Sequence, residues 1–129
     1  MNITIVGDQP DRLEIICQLL DDGDGRRVSV LSVDNTNTSE FKQAIDRADL
    51  VLVDLAYAPG PAPEFIEGFK RDFPDSLLIG IHFYKNLKLI EPLMQAGLDG
   101  YMHSNSHKSL MIQAIEDVAA GKTVILNRD

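Results

Sequence analysis

A short apolar run that ends in an aspartate is the feature that most limits how this chain can fold. Residues 50–53 are apolar without interruption, Asp54 follows them, and a loop rich in proline and glycine begins within a few residues. An uninterrupted apolar run of this length is typical of a strand buried on both faces of a sheet. Open α/β sheets keep their sites at the carboxyl ends of such strands, which makes Asp54 a candidate site residue.

Strand-like and helix-like patterns alternate along the whole sequence. Strands are predicted at residues 3–6, 28–33, 50–55, 77–81 and 100–103, and apolar residues recur with helical spacing between and after them. This alternation predicts one domain, residues 1–129, with a parallel sheet covered on both faces by helices. The expected fold class is α/β, a five-stranded flavodoxin-like (βα)5 fold with strand order 2-1-3-4-5. The carboxyl edge of that sheet would gather Gly7, Asp8, Asp54, His82 and Ser104.

Three residues give signals about helix ends. Pro92 lies inside the fourth helical pattern and predicts a kink or a late start there. Gly97 is placed to end that helix, and Ser106 is placed to cap the last one.

Charge and cysteine content narrow the classes of partner and compartment. Acidic residues outnumber basic ones 20 to 12, and the formal net charge is −8. Because no cluster of lysine and arginine offsets this charge, we expect neither direct nucleic-acid binding nor attachment to a membrane. Cys17 is the single cysteine, which fits a reducing, cytoplasmic setting.

Four segments, in this order and spacing, carry a resemblance to a known family. They are Ile-Val-Gly-Asp-Gln-Pro (5–10), Leu-Val-Leu-Val-Asp-Leu (50–55) followed by Pro59-Gly60, Ala-Gly-Leu-Asp-Gly-Tyr (96–101) and Ala-Ile-Glu-Asp-Val-Ala-Ala-Gly (114–121). Together they resemble the receiver domain of bacterial two-component response regulators, in particular receivers that usually carry a helix-turn-helix output domain.

The resemblance implies a role for three residues around the central strand. Asp54 falls on the aspartate that accepts the phosphoryl group in the family. Asp8 falls on the second member of the family's acidic pair, and with Asp54 and the backbone carbonyl of Ala56 it would hold Mg²⁺. From the residues alone, Asp54 has the alternative of capping a helix or a turn at the strand end, and Asp8 of capping the first helix.

Other positions depart from the family's pattern. Gly7 stands at the first acidic position, His82 replaces a small hydroxyl residue, and Ser104 replaces a lysine. Loss of one carboxylate should weaken Mg²⁺ binding, and loss of the lysine removes a charge that would offset a phosphoryl group. His82, Tyr101 and Ser104 are the expected switch residues. We expect the bulky imidazole of His82 to fill the space that the family's aromatic residue, here Tyr101, enters on switching.

Two functions remain open, with a third of low probability. The favoured one is an atypical receiver, or pseudo-receiver, which serves a phosphorelay through protein–protein contacts of the fourth helix, fifth strand and fifth helix. The alternative is a receiver phosphorylated on Asp54 by a sensor histidine kinase or phosphotransfer protein with Mg²⁺, controlling transcription through an output domain outside these residues. Both imply a downstream protein partner and allow a homodimer.

The third is a small hydrolase that uses Asp54 and His82. No nucleophile or phosphate-loop motif accompanies these two residues, so we do not expect an enzyme.

Overall fold

A single parallel sheet organises the chain in a computed structural model that describes residues 1–23, 25–35, 37–58 and 60–127. The strands are β1 (Asn2–Gly7), β2 (Arg27–Ser32), β3 (Leu50–Asp54), β4 (Leu78–His82), β5 (Gly100–His103) and β6 (Val124–Leu126). They lie in the order β2-β1-β3-β4-β5-β6, and every neighbouring pair is parallel. The predicted α/β class, parallel sheet and flavodoxin-like order are confirmed. The predicted Pro59 lies outside the described residues.

The count of five strands is wrong, because the chain adds a sixth. Val124 pairs with Gly100, Ile125 with Tyr101 and Leu126 with Met102, so β6 covers the outer edge of β5. Val124 and Leu126 pack against one of the two cores, which anchors the short strand. The side chain of Ile125, by the alternation of a strand, lies on the opposite face. The two edge strands of the sheet are therefore β2 and β6, and β5 is an inner strand.

Five helices cover the two faces of the sheet and give the domain two separate cores. They are α1 (Pro10–Leu20), α2 (Ser39–Arg47), α3 (Ala62–Asp72), α4 (Leu87–Ala96) and α5 (Lys108–Ala119). One core combines apolar side chains of α1 and α5 with one face of the sheet, and the other combines those of α2, α3 and α4 with the opposite face. The strand β3 contributes to both cores, and all five of its residues are buried. No helix in the described ranges is long and apolar enough to cross a membrane.

The helix-end predictions have mixed outcomes. Gly97 ends α4 with a φ of 133°, in the region that favours glycine, and its N–H donates to the carbonyl of Met94. The predicted late start of α4 is wrong, since the helix begins at Leu87 and continues through Pro92. Ser106 is not the N-cap of α5, because that position is taken by His107 and the Ser106 hydroxyl makes no hydrogen bond within the described residues.

Candidate functional site

Asp54 is the last residue of β3 and lies at the carboxyl edge of the sheet, where the topology predicted it. Its side chain is 0% exposed. The two neighbouring strands enclose it, since β1 pairs with β3 on one side and β4 on the other. Burial of a carboxylate is costly unless a partner compensates its charge.

That partner is Arg12, in the first turn of α1. The Nε of Arg12 lies 2.7 Å from Oδ2 of Asp54, a charge-assisted hydrogen bond and an ion pair in one contact. The Arg12 side chain is 33% exposed, so its contact with Asp54 bridges the buried site and the surface. The other oxygen, Asp54 Oδ1, has no hydrogen-bond partner within the described residues.

Four contributions act on the protonation of Asp54. Burial disfavours the charged form and raises the pKa of Asp54 above its ordinary value. The hydrogen bond and the positive charge of Arg12 lower that pKa, while the nearby negative charge of Asp8 raises it again. Arg12 is therefore the side chain that favours the ionised form of Asp54.

Gly7 and Asp8 occupy the end of β1 beside this pair. Asp8 is exposed and is not the cap of α1, because Gln9 takes the capping position. At Gly7 an added Cβ would lie 2.7 Å from Cδ2 of Leu13 and 3.2 Å from Cβ of Asp54. The buried Leu13 side chain thus fills the space that an acidic side chain at this position would need.

These residues do not fit a divalent cation in the arrangement that the structure shows. The candidate ligands are the carboxylates of Asp8 and Asp54 and the backbone carbonyl of Ala56, and the guanidinium of Arg12 already holds one oxygen of Asp54. Mg²⁺ demands near-octahedral coordination by oxygen and keeps several waters. No group of three or more His, Cys, Asp or Glu side chains in the described part of the chain is placed to hold a metal.

His82 is the last residue of β4, and its ring contacts the two residues that follow it in the chain. Its Nδ1 accepts a hydrogen bond from the N–H of Phe83 at 2.9 Å, and its ring stacks on Tyr84 with centroids 4.0 Å apart. Burial lowers the pKa of His82, which favours the neutral imidazole. Within the described residues, no hydrogen bond joins His82 to Asp54. The geometry therefore gives no support to a hydrolytic pair made of these two residues.

Tyr101 is buried in the core that α2, α3 and α4 share, with 0% of its surface exposed. Its hydroxyl donates to the carbonyl of Tyr84 at 2.7 Å, and burial raises the pKa of Tyr101 to about 12. Because the imidazole of His82 lies flat on Tyr84, this structure accommodates both side chains with Tyr101 buried. That His82 blocks a movement of Tyr101 on switching stays a prediction.

Ser104 follows β5 and carries no charge that could replace a lysine. Its N–H donates to the carbonyl of His82 at 2.9 Å. Its side chain lines a groove of about 450 Å³ between α1 and α5, whose lining also includes Arg12 and Ser106. The positive charge that pairs with Asp54 thus comes from Arg12 of α1 and not from a residue at the end of β5.

Arg12 is the site residue that the sequence-based reasoning missed. One signal was available, since Arg12 is the only basic residue among the first 25 and lies four residues after Asp8. A position in the first turn of the helix that follows β1 is close to the carboxyl edge of the sheet. Sequence spacing alone does not give the side-chain rotamer that turns Arg12 towards Asp54.

Comparison with known proteins identifies the fold. No model of a protein family matches the chain, and no curated protein sequence matches it. Among solved structures, a LuxR-family two-component response regulator from Aurantimonas sp. SI85-9A1 has a TM-score of 0.80 at 20% identity, over 95% of this chain and 87% of that one. The isolated REC domain of RcsB from Salmonella enterica serovar Typhimurium has a TM-score of 0.79 at 18% identity, over 97% and 92%.

A third solved structure gives the same result. The chemotaxis response regulator CheY4 of Vibrio cholerae has a TM-score of 0.72 at 13% identity, over 91% of this chain and 97% of that one. At these identities the shared property is the arrangement of strands and helices. This chain has the fold of a response regulator receiver domain.

Proposed function

We propose that this chain is a pseudo-receiver, a receiver-fold module that acts through protein–protein contacts and does not depend on phosphorylation of Asp54. The observation that carries the proposal is the pair between Arg12 Nε and Asp54 Oδ2, formed at a fully buried carboxylate. An internal cation already compensates the charge for which a receiver of the resembled family uses a metal ion.

The surroundings of Asp54 also disfavour a phosphoryl group. Such a group adds close to two negative charges, and Asp8 already contributes a negative charge that acts on Asp54. Gly7, His82 and Ser104 each lack the group that the resembled family uses at that position. Arg12 is one cation, and it is already engaged with the carboxylate in the unmodified state.

The proposed contact face is made by α4, α5 and the edge of the sheet. The resemblance predicts α4, β5 and α5, and β6 now lies along the outer edge of β5. Large apolar side chains are exposed on these elements: Leu87 and Leu89 on α4, Leu110 on α5 and Ile125 on β6. A downstream protein or a second copy of this chain would bury them.

A second function is supported by the unpaired oxygen of Asp54. Oδ1 has no hydrogen-bond partner within the described residues, and Asp8 is close enough to influence the pKa of Asp54. In this alternative Arg12 would have to leave Oδ2, so that Asp8, Asp54 and the carbonyl of Ala56 could hold Mg²⁺ weakly. A histidine kinase or phosphotransfer protein would supply the phosphoryl group. An output domain would then deliver the signal to transcription.

Intact-mass measurement after incubation with acetyl phosphate and Mg²⁺ separates the two functions. The Asp54→Asn variant is the control, because it keeps the shape of the side chain and removes the acceptor. We expect no adduct on either protein. A phosphate-sized adduct on the wild type that is absent from the variant would refute the pseudo-receiver and establish the alternative.

A further inference from the structure

We infer that Arg12 is the resident counter-ion of Asp54 and excludes divalent cations from this edge of the sheet. The inference rests on the proposed function, because it concerns the same site at Asp54. It assigns to Arg12 a role that neither the sequence pattern nor the resemblance supplies. The inference predicts that Arg12 prevents metal binding at Asp54. Replacement of Arg12 should turn a site that needs no metal into one that binds a metal.

The contact geometry is the first support. Asp54 is completely buried, and the guanidinium reaches it from a side chain that is one-third exposed. The guanidinium therefore already occupies one of the two carboxylate oxygens that a metal ion could bind. Access to Oδ2 requires that the 2.7 Å contact with Nε break first.

The local charges are the second support. Asp8 directly follows Gly7, where an added Cβ would lie 3.2 Å from Cβ of Asp54, and the negative charge of Asp8 raises the pKa of Asp54. Two nearby carboxylates are mutually destabilising unless a cation lies with them. Arg12 supplies this cation through the 2.7 Å contact between its Nε and Oδ2 of Asp54. Removal of Arg12 leaves a divalent cation as the simplest remaining source of compensation.

The packing at Gly7 is the third support. Leu13 occupies the space that a further carboxylate at position 7 would take, which limits the acidic ligands to Asp8 and Asp54. A site with two carboxylates binds a divalent cation weakly. A weakly bound ion competes poorly with a covalently tethered guanidinium, whose effective concentration at Asp54 is high.

Metal titration of wild type and an Arg12→Gln variant tests the inference. Mn²⁺ serves as the probe, followed by water proton relaxation and by thermal unfolding with and without the metal. We expect the variant to bind Mn²⁺ about tenfold more tightly than the wild type, the factor that corresponds to ~1.4 kcal/mol. Its unfolding temperature should rise on addition of Mn²⁺ or Mg²⁺, and that of the wild type should stay constant.

Two controls locate the effect. In Arg12→Gln/Asp54→Asn the gain in binding should disappear, because one of the two carboxylates is gone. Arg47→Ala removes an exposed arginine at the end of α2 and should behave as wild type. If Arg12→Gln proves unfolded by circular dichroism, Arg12→Lys carries the same test, with a smaller gain expected because the lysine keeps one positive charge.

Two results would overturn the inference: Asp54-dependent Mn²⁺ binding by the wild type as tight as that of the folded variant, or no gain in a folded variant. The acetyl phosphate measurement reports on the phosphoryl acceptor, and the titration reports on metal binding. An adduct on the wild type would refute the pseudo-receiver, and the Mn²⁺ titration of the unmodified proteins would then show separately whether Arg12 limits metal binding. Loss of the titration effect would remove the role of Arg12 and leave the absence of an adduct in place.

Discussion

Replacement of Tyr101 by phenylalanine should destabilise the domain at neutral pH and lose this effect in alkali. The hydroxyl of Tyr101 donates to the carbonyl of Tyr84 at 2.7 Å inside the core. Its removal deletes one hydrogen bond and leaves that carbonyl without its donor, which costs about 1–2 kcal/mol in the free energy of unfolding. The apolar ring remains, so no large cavity contributes.

The pH dependence follows from the pKa of Tyr101, which burial raises from 10.0 to about 12. An acid with a raised pKa in the folded state binds its proton more tightly there than in the unfolded state. The stability from this group is therefore complete below the unfolded pKa and is lost as the pH rises towards the folded one. At about pH 11 the unfolded tyrosine is mostly ionised and the folded one is mostly neutral, which costs the wild type about 1.4 kcal/mol.

Urea unfolding of both proteins at about pH 8 and pH 11 tests this reasoning. The phenylalanine variant should be less stable by about 1–2 kcal/mol at the lower pH and nearly equal to the wild type at the higher. A difference that stays constant with pH would contradict the burial of the Tyr101 hydroxyl. Ultraviolet titration that finds every tyrosine ionising near its ordinary pKa would contradict it as well.

Three further changes have defined outcomes. Arg12→Met should lower stability at neutral pH by about 2–3 kcal/mol, because a buried charge loses its partner, and urea unfolding of the Arg12→Met/Asp54→Asn double variant should recover most of the loss. Gly80→Ala should cost about 1–3 kcal/mol, measured in the same way, since the added Cβ would lie 2.5 Å from Cδ1 of Leu55. Truncation after residue 121 removes Val124–Leu126 and should lower the unfolding temperature and promote self-association by light scattering, because the edge of β5 becomes free to pair.

The sheet was predictable because its strands are strong local signals. Residues 50–53 form an unbroken apolar run, and the structure buries all of them between neighbouring strands. The strand Val124–Leu126 is not predictable from the sequence, because three apolar residues after the last helix are too short a run to indicate a strand. Its stability comes from pairing with β5, a contact that is not encoded within the segment itself.

The site was predictable in its location and not in its chemistry. Topology alone gathered Gly7, Asp8, Asp54, His82 and Ser104 at one edge, since the carboxyl ends of parallel strands meet there. The electrostatic partner of Asp54 depends on the rotamer of Arg12, and the ring of His82 packs on Tyr84. Such choices are made by tertiary packing, which one sequence does not display.

The direction of β6 has a practical consequence for labelling and fusion. Since β6 runs parallel to β5, its last residue emerges at the carboxyl edge of the sheet, and the side chain of Asn127 donates to the carbonyl of Lys85 there. A fluorophore attached after residue 127 would start on the same edge as Asp54, whereas one attached before Met1 would start at the opposite edge. The two positions therefore place a probe at the same end of the strands as Asp54 or at the opposite end, with β4 and β5 lying between β6 and β3.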